Sequence, residues 1–432
     1  MNEGSTQPLG LLSAPDAMRI LRRRWLRIIP VAFIMYTIAY VDRINISLCL
    51  PALGRDLGNN PVEAGNVAGV FFWGYLVFQI PGGHLARIWS AKRVISILLV
   101  AWGCCAVAMG FVTTWREMWV ARLLLGVAEG GVLPATIVLL SNWFGHTERA
   151  RANSYWMLCQ PFAVIVSSPF SGYILGRWGW QAVFIVEGCL PFIWLIVWNL
   201  YMDDRPREAK WISEEGRSYI AELLQRDTPK PIISKHAGTL QVLLGRQVCS
   251  LLAMAMLMNC GVYGFLFWLP SALFHAKNLS PFSVSILFTL PYVLAGFAMV
   301  WNARDSDRSG DRRVHVAAPL ILSGLCLLAA ALLGERSFLP YIVLLCFGGA
   351  GVYAAIGPAW AIPTETLPRE AVGSAIGMIN SAGAFGGYFG PLIVGVLSRR
   401  TGDFRFAYAA LSCCLLAASA LALTLEQAAT AV

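Results

Sequence analysis

The stretch Tyr40-Val41-Asp42-Arg43-Ile44-Asn45 lies within an apolar run over residues 28–50. That run is long enough to cross a lipid bilayer as a helix. An aspartate or an arginine near the centre of such a helix costs roughly 2.5–3.5 kcal/mol on insertion scales. Adjacent residues of a helix point about 100° apart, so Asp42 and Arg43 do not face each other. Each of them therefore needs a partner from elsewhere in the chain.

The composition of the whole chain is that of a polytopic membrane protein. Of its 432 residues, 57% are hydrophobic and 13% are charged, whereas about 25% of the residues of a soluble domain are charged. We therefore predict an all-α membrane protein with twelve transmembrane helices. The apolar segments are 28–50, 63–84, 94–113, 117–141, 152–175, 180–202, 247–274, 282–303, 314–333, 339–362, 371–398 and 403–425.

The segments divide into two groups of six. A charged stretch over residues 203–246 separates the groups, and the basic pair Lys92-Arg93 recurs about 220 residues later as Arg312-Arg313. Such spacing predicts two pseudo-symmetric six-helix bundles related by an axis along the membrane normal. The predicted parts are an N-terminal tail 1–27, a first bundle 28–202, a linker 203–246, a second bundle 247–425 and a tail 426–432.

The linker carries the signal of a short amphipathic helix. Ser213 can cap it, and Glu214 and Glu215 stand in its first turn, where negative charge is favourable.

The distribution of basic residues predicts the orientation of the chain in the membrane. If the N-terminus is inside, 23 of the 33 lysines and arginines fall in cytoplasmic segments, as is usual for membrane proteins. We therefore expect both termini and the linker in the cytoplasm. The net charge of +9 then reflects topology, and we expect no nucleic-acid partner.

Five charged residues lie well inside predicted helices: Asp42, Arg43, Arg122, Glu129 and Glu187. Arg122 and Glu129 are seven residues apart, so they share a helix face within about 20° and lie about 10 Å apart along the axis. The first four can therefore line one cavity. The alternative is a buried ion-pair network that only holds the helices together. Glu187, next to Gly188, is more typical of a structural residue with a hydrogen-bonded neighbour.

Chemistry assigns candidate roles to the other four. A guanidinium group presents a planar fork to a carboxylate, so Arg43 and Arg122 are the predicted contacts for an anionic substrate. A carboxyl group in a partly desolvated site can load and release protons near neutral pH. Asp42 and Glu129 are therefore the predicted proton-coupling residues, and either can pair with either arginine. We expect no cofactor and no metal, with protons as the coupling ion.

Polar and aromatic side chains on other segments can complete the cavity. The candidates are Tyr40, Tyr75, Gln160, Trp360 and Asn380. Each alone is more typical of packing or of a hydrogen bond between helices.

The turn after the eighth segment reads Asp305-Ser306-Asp307-Arg308-Ser309-Gly310-Asp311-Arg312-Arg313. Opposite charges at helix ends can form a latch that holds one face of a carrier closed. The predicted latch residues are Asp307, Arg308, Arg312 and Arg313; the alternative is ordinary positive-inside loop charge. This Asp-Arg-x-Gly-x-Arg-Arg pattern resembles the cytoplasmic loop motif of the major facilitator superfamily. The corresponding loop of the first half, residues 82–93, has Arg87 where the motif has an acid and Ser90 where it has a glycine. The sequence therefore does not decide whether the first half has a latch.

Two motifs narrow the resemblance. The stretch 40–45 and the pattern Arg122-x-x-x-Gly126-x-x-Glu129-Gly130 resemble the anion:cation symporter branch of that superfamily, which includes bacterial proton symporters for galactonate and tartrate. The resemblance implies that Asp42 and Glu129 match the proton-coupling carboxylates and that Arg43 and Arg122 match the intramembrane arginines. It also implies substrate contacts at Tyr40, Tyr75, Gln160, Asn380 and Trp360.

The sequence thus predicts a secondary active transporter that imports a small organic anion, a carboxylate such as a sugar acid, with protons by alternating access. The alternatives of the same fold are an exchanger, an exporter, an uncoupled facilitator, or an importer of aromatic or dicarboxylic acids. No nucleophile–base pair or phosphate loop supports an enzyme. We expect a monomeric, multi-pass protein of a bacterial inner membrane, with its substrate and the lipid bilayer as its partners.

Overall fold

A computed structural model describes residues 14–226, 239–277, 279–334 and 337–426, and these residues contain helices and no strand. They include ten continuous helical stretches that are long and apolar enough to cross a membrane. Two of the stretches, Pro61–Met109 and Arg151–Tyr201, have 49 and 51 residues. At 1.5 Å per residue each is more than twice the roughly 30 Å of a hydrocarbon core. Each of the two turns back once, which yields the twelve predicted spans.

The two turning points have local causes. Ser90 adopts an extended conformation, with φ −167° and ψ 125°, and its side chain accepts a hydrogen bond from the backbone N–H of Arg93, as the cap of a new helix. Gly179 has φ 83° and ψ 176°, a region that glycine enters without steric cost. The polypeptide therefore reverses at residues that permit non-helical angles.

We number the twelve membrane helices α1 to α12. Their bounds are α1 Ala14–Leu57, α2 Pro61–Leu85, α3 Ala91–Met109, α4 Trp115–Trp143, α5 residues 151–178, α6 residues 180–201, α7 Arg246–Lys277, α8 Pro281–Ser309, α9 Arg312–Leu333, α10 Phe338–Thr366, α11 Arg369–Thr401 and α12 Arg405–Leu423. Because α1 begins at Ala14, residues 14–27 of the predicted tail belong to a helix.

The linker is helical where the sequence predicts it. A helix spans Glu214–Arg226, and Ser213 Oγ accepts a hydrogen bond from the Gly216 N–H at 3.2 Å. Ile220 is fully buried, so the helix has the predicted apolar face. Residues 227–238 of the predicted linker lie outside the described residues.

The two bundles meet mainly where α2 packs on α11 and where α5 packs on α8. Gly65 and Gly69 let α2 lie directly against the backbone of α11, because a Cβ atom at either position would clash with the carbonyl oxygen of Pro391 or Tyr388. Small residues at helix interfaces allow this close approach in membranes.

Polar contacts join the two bundles at the end far from the linker. There Arg399 Nη1 donates to Asn60 Oδ1 at 3.3 Å, and the Tyr388 hydroxyl donates to Asn66 Oδ1 at 3.1 Å. At the linker end, a Cβ atom on Gly373 or Gly377 of α11 would have no atom of another described helix within 4 Å. The bundles are therefore held together at the end that the predicted topology places outside.

Candidate functional site

Arg43 and Glu129 form a buried ion pair between α1 and α4. Arg43 Nη2 lies 3.1 Å from Glu129 Oε2, and the two side chains are 6% and 0% exposed. Removing one partner of such a pair leaves a buried charge without compensation. Of the two pairings that the sequence allows for Glu129, the structure therefore contains the one with Arg43.

Arg122 lies beside this pair without a carboxylate partner among the described residues. Its Nη1 and Nη2 atoms donate to the backbone carbonyl oxygens of Asp42 and Arg43, each at 3.3 Å. The side chain is fully buried. Because these contacts are long and involve uncharged oxygens, an incoming carboxylate can replace them with shorter, charge-assisted bonds.

Aromatic rings surround the two guanidinium groups. The Arg43 guanidinium carbon lies 5.5 Å from the ring centroid of Tyr40, 4.9 Å from that of Phe71 and 5.1 Å from that of Tyr75. The guanidinium of Arg122 lies 5.2 Å from the Phe71 ring. Cation–π contacts of desolvated groups contribute about 2 kcal/mol. The predicted residues Tyr40 and Tyr75 are thus brought to the arginines.

The second bundle contributes tyrosines that the sequence analysis missed. The Tyr40 hydroxyl lies 3.4 Å from the Tyr353 hydroxyl of α10, and the Tyr353 ring packs edge-on against Tyr292 of α8 with centroids 5.3 Å apart. The sequence contains a pattern that could have identified Tyr353. It precedes the predicted contact Trp360 by seven residues, which places both side chains near one face of a helix. Tyr292 follows Pro291 within an apolar run and carries no comparable signal.

Gln160, Trp360 and Asn380 form no hydrogen bond with Arg43 or Arg122 in the described residues. The Gln160 amide nitrogen lies 4.0 Å from Met157 Sδ. Gln160 and Asn380 are half-buried, and Trp360 is 37% exposed. All three lie in the half of their helices that is nearest the linker. Their role as substrate contacts stays a prediction.

Asp42 is not part of the ion pair. Its carboxyl oxygens have no well-aligned hydrogen bond within the described part of the chain, and the indole of Trp102 of α3 is the donor that lies against them. Glu129, Glu187 and Arg122 are all close enough to Asp42 to act on its charge. Asp42 therefore lies beside the other three charged residues, on a face of α1 about 100° from Arg43. The coupling role of Asp42 stays a prediction.

The predicted latch is a charge network within the second bundle. Arg312, at the start of α9, contacts Asp307 at the end of α8 through Nη1, and its Nη2 lies 2.8 Å from Glu365 Oε1 at the end of α10. Arg313 Nε lies 3.6 Å from Asp311 Oδ1. Arg308 is exposed on α8. Arg312 thus joins three helices, and Glu365 is a member that the predicted set lacked.

The corresponding turn in the first bundle obtains its acid from the linker. Asp204 is 5% exposed, and its Oδ1 accepts the backbone N–H of Lys92 at 2.9 Å, at the start of α3. Asn142 Nδ2 of α4 donates to the Asp204 carbonyl at 3.2 Å. Asp204 and the cap residue Ser90 thus share the part that Asp311 plays alone in the second bundle, where Asp311 accepts the N–H groups of Arg313 and Val314.

Comparisons with known proteins place the chain among carriers. A family model described as Major Facilitator Superfamily matches residues 32–391. The “Putative tartrate transporter” of Agrobacterium vitis is 32% identical over 413 residues, which cover 91% of this chain and 88% of the relative. The “Quinolone resistance transporter” of Acinetobacter baumannii is 26% identical over 394 residues, 89% of each protein. The “Probable galactarate/D-glucarate transporter GarP” of Escherichia coli is 28% identical over 418 residues, 90% of this chain and 92% of the relative.

A solved structure shares the architecture. The inward open conformation of the xylose transporter XylE from E. coli superposes with a TM-score of 0.77 at 13% sequence identity, over 94% of this chain and 97% of that one. At this identity the likeness concerns the fold, twelve helices in two bundles.

Proposed function

Since the chain belongs to the major facilitator superfamily and is a multi-pass membrane transporter, not an enzyme, we propose that it imports a small organic anion together with protons by alternating access. The observation that carries the proposal is the state of Arg122. This guanidinium group is fully buried beside the Arg43–Glu129 pair and has no carboxylate partner in the described residues. A buried cation without a counter-charge is costly, and a substrate carboxylate supplies that charge.

The charges of Arg43, Arg122 and Glu129 match one substrate carboxylate while Glu129 is ionised and two when Glu129 is protonated. The two guanidinium groups and the Glu129 carboxylate have a net charge of +1, which becomes +2 when Glu129 binds a proton. A substrate carboxylate that binds Arg122 bidentately replaces the 3.3 Å contacts to the α1 carbonyl oxygens. The rings of Tyr40, Phe71 and Tyr75 exclude water from the bound group.

Coupling follows from competition for Arg43. When Glu129 binds a proton, its bond to Arg43 loses the ionic component, and Arg43 becomes available to a second oxygen of the substrate. When the substrate leaves toward the linker end, Arg43 binds the Glu129 carboxylate again and the proton is released. A proton and an anion then enter the site together and leave it together, so no uncompensated charge stays buried.

The substrate class that fits best is a hydroxylated carboxylic acid. The relatives named for tartrate and for galactarate/D-glucarate are named for acids of this kind. Its hydroxyl groups need hydrogen-bond partners, which the Tyr40 and Tyr353 hydroxyls supply at mid-depth. Gln160, Asn380 and Trp360 complete the contacts when the linker end closes.

The remaining parts of the proposal concern topology and closure. Both termini and the linker lie in the cytoplasm, as the distribution of basic residues indicates, and the protein works as a monomer in the inner membrane. The network of Asp307, Arg312, Arg313 and Glu365 stabilises the inner end of the second bundle, and Arg308 joins it when that end closes against the first bundle.

A second candidate is an exporter that exchanges its substrate for protons, and the relative named for quinolone resistance favours it. Both candidates are tested with purified protein in liposomes and radiolabelled tartrate or galactarate. An importer accumulates the label when the interior is alkaline, and an exporter expels preloaded label when the exterior is acidic. Uptake that does not depend on the pH gradient contradicts the coupling proposal. Gradient-driven uptake by the double variant Asp42→Asn/Glu129→Gln contradicts it as well.

Arg122 provides the sharpest binding test. Arg122→Lys keeps the charge and loses the fork, and Arg122→Gln loses both. We expect the affinity for the acid to fall about 10–100-fold in Arg122→Gln, as for the loss of a hydrogen bond to a charged group. Arg116→Ala, at an exposed position of the same helix, is the control. Equal affinity in Arg122→Gln and Arg116→Ala excludes Arg122 as the anion contact.

A further inference from the structure

A second polar cluster lies on the face of α1 that points away from Arg43. Asp42 and Asn45 share this face because they are three residues apart on the helix. Glu187 of α6 and Ser171 of α5 complete the group, which we call the acid cluster. All four residues are buried, with exposures of 0%, 2%, 1% and 1% in that order.

Five polar side-chain atoms of the acid cluster have no well-aligned hydrogen bond in the part of the chain that the structure describes. They are both carboxyl oxygens of Asp42, both amide atoms of Asn45, and Oε2 of Glu187. Asn45 lies against the Glu187 carboxyl group, and the Trp102 indole lies against that of Asp42. Buried polar atoms in proteins are nearly always bonded. Five incompletely bonded atoms in one enclosed place therefore indicate a site for hydrogen-bonded protons and water.

The charges of the acid cluster also indicate that it binds a proton. Asp42 and Glu187 bring two carboxyl groups, and the residues that face them from the packed helices are Asn45 and Cys49 of α1, Trp102 of α3, Arg122 and Glu129 of α4, and Ser171 of α5. Arg122 is the one cation in this set, and its bonds go to backbone carbonyl oxygens. Two buried carboxylates that share a site without a paired cation do not both ionise. The cluster therefore holds at least one proton.

The contacts of the Ser171 hydroxyl favour the Glu187 carboxyl group as the holder of this proton. Ser171 Oγ lies 2.9 Å from the Ser167 carbonyl oxygen, one turn earlier on α5, and 2.5 Å from Glu187 Oε1. Ser171 can donate its single proton to either oxygen. A protonated Glu187 carboxyl group gives each of the two contacts its own proton, because Ser171 then donates to Ser167 and Glu187 donates to Ser171.

We propose that Glu187 carries a proton that is bound and released in each transport cycle, in addition to protons carried by Asp42 and Glu129. The proposal rests on the proton coupling proposed above. Release starts from the protonated Glu187. Once Asp42 has lost its own proton, the O–H bond of the Glu187 carboxyl group breaks, a water molecule bound to Asn45 relays the proton, and an O–H bond forms at a carboxyl oxygen of Asp42; loading of Glu187 is the reverse. Asp42 and Arg43 are consecutive on α1, so movement of α1 when Arg43 leaves Glu129 shifts Asp42 and Asn45 against Glu187.

The test compares Glu187→Gln with a buried control position on a neighbouring helix. Glu187→Gln removes the titratable group and keeps its shape, whereas Ser168→Ala changes a buried serine of α5 outside the acid cluster. In liposomes with radiolabelled tartrate or galactarate, we expect the accumulation plateau of Glu187→Gln to fall about tenfold for each unit of imposed pH gradient, since one coupled proton contributes a factor of ten per pH unit. Ser168→Ala should keep the wild-type plateau. Plateaus that fall equally in both variants assign Glu187 a structural role and overturn the proposal.

Infrared difference spectroscopy of the purified protein gives a readout that needs no substrate. Titration of the wild type should show the carbonyl stretch of a protonated carboxyl group, which is lost in Glu187→Gln and shifted in Asp42→Asn. If Glu187→Gln does not fold, Glu187→Asp keeps a titratable group and should shift the same band. Absence of a band that depends on Glu187 overturns the proposal. A wild-type plateau that ignores the gradient while the band persists instead contradicts the proposed symport.

Discussion

The two bundles share an architecture and differ in where they keep their charges. In the described residues every buried charged side chain belongs to the first bundle, the helix turn that precedes it or the linker, namely Arg24, Asp42, Arg43, Arg122, Glu129, Glu187 and Asp204. The second bundle contributes Tyr292 and Tyr353 to the site, and its charge network lies at the helix ends around Arg312.

This difference indicates a division of labour. Charges buried in one bundle can respond to protons and anions without any change in the other. A bundle with neutral hydroxyl groups at the site can move against the first bundle without leaving a charge unpaired, because a neutral hydrogen bond costs about 0.5–1.5 kcal/mol to break, whereas breaking a buried ion pair costs about 3–5 kcal/mol. The first bundle is therefore suited to coupling and the second to closure.

The largest expected effect is on the buried pair of the first bundle. Arg43→Ala leaves the Glu129 carboxylate buried without its partner, and we expect about 3–5 kcal/mol of lost stability together with loss of transport. The double variant Arg43→Ala/Glu129→Gln removes both charges and should recover most of the melting temperature but no transport. Melting of the purified protein and uptake into liposomes are measured side by side. A double variant that transports would show that the pair only holds helices together.

The next effect concerns the network of the second bundle. Arg312→Ala removes the fork that joins α8, α9 and α10, and the loss of charge-assisted bonds should cost about 1.5–3 kcal/mol. The neighbouring Arg308→Ala, at an exposed position, should change stability by no more than about 0.5 kcal/mol. Thermal unfolding measures both variants. Equal losses of stability in the two variants would mean that the motif is ordinary positive-inside loop charge and that Arg312 does not hold the three helix ends together.

A smaller effect is expected where the linker supplies the acid of the first loop. Asp204→Ala removes the acceptor for the Lys92 N–H, and the loss of such a cap costs about 0.5–2 kcal/mol. Asp204→Asn keeps an acceptor oxygen and should stay near the wild type. Thermal unfolding, together with the rate of proteolysis in the linker, distinguishes them. Faster cleavage in both variants would mean that the carboxylate charge, not the cap, anchors the linker.

The smallest effect is expected at the contact between the bundles. Tyr353→Phe removes the 3.4 Å contact with the Tyr40 hydroxyl, which should change the KM for the acid about 2–10-fold, as for one neutral hydrogen bond. Tyr173→Phe, at an exposed position of α5, is the control. A Tyr353→Phe variant that loses all transport would give the second bundle a larger part in binding than a neutral contact provides.

The sequence by itself determined the fold class, because twelve apolar segments of membrane length leave a chain no other way to satisfy its backbone in lipid. It also identified the charged residues, since Asp42, Arg43, Arg122, Glu129 and Glu187 are costly in a membrane wherever they point. The linker helix followed from local signals, a capping serine and two glutamates, which act within one turn.

Only the tertiary structure decided how these residues are grouped. The sequence fits Glu129 with either arginine, and the packing of α1 on α4 selects Arg43. The packing of α1 against α5 and α6 also places Asp42 near Glu187, which lies about 145 residues further along the chain. Tyr353 and Asp204 reach their partners across 313 and 112 residues. Helical periodicity relates neighbours within a few turns, so contacts at such separations depend on how the helices pack and not on any local pattern.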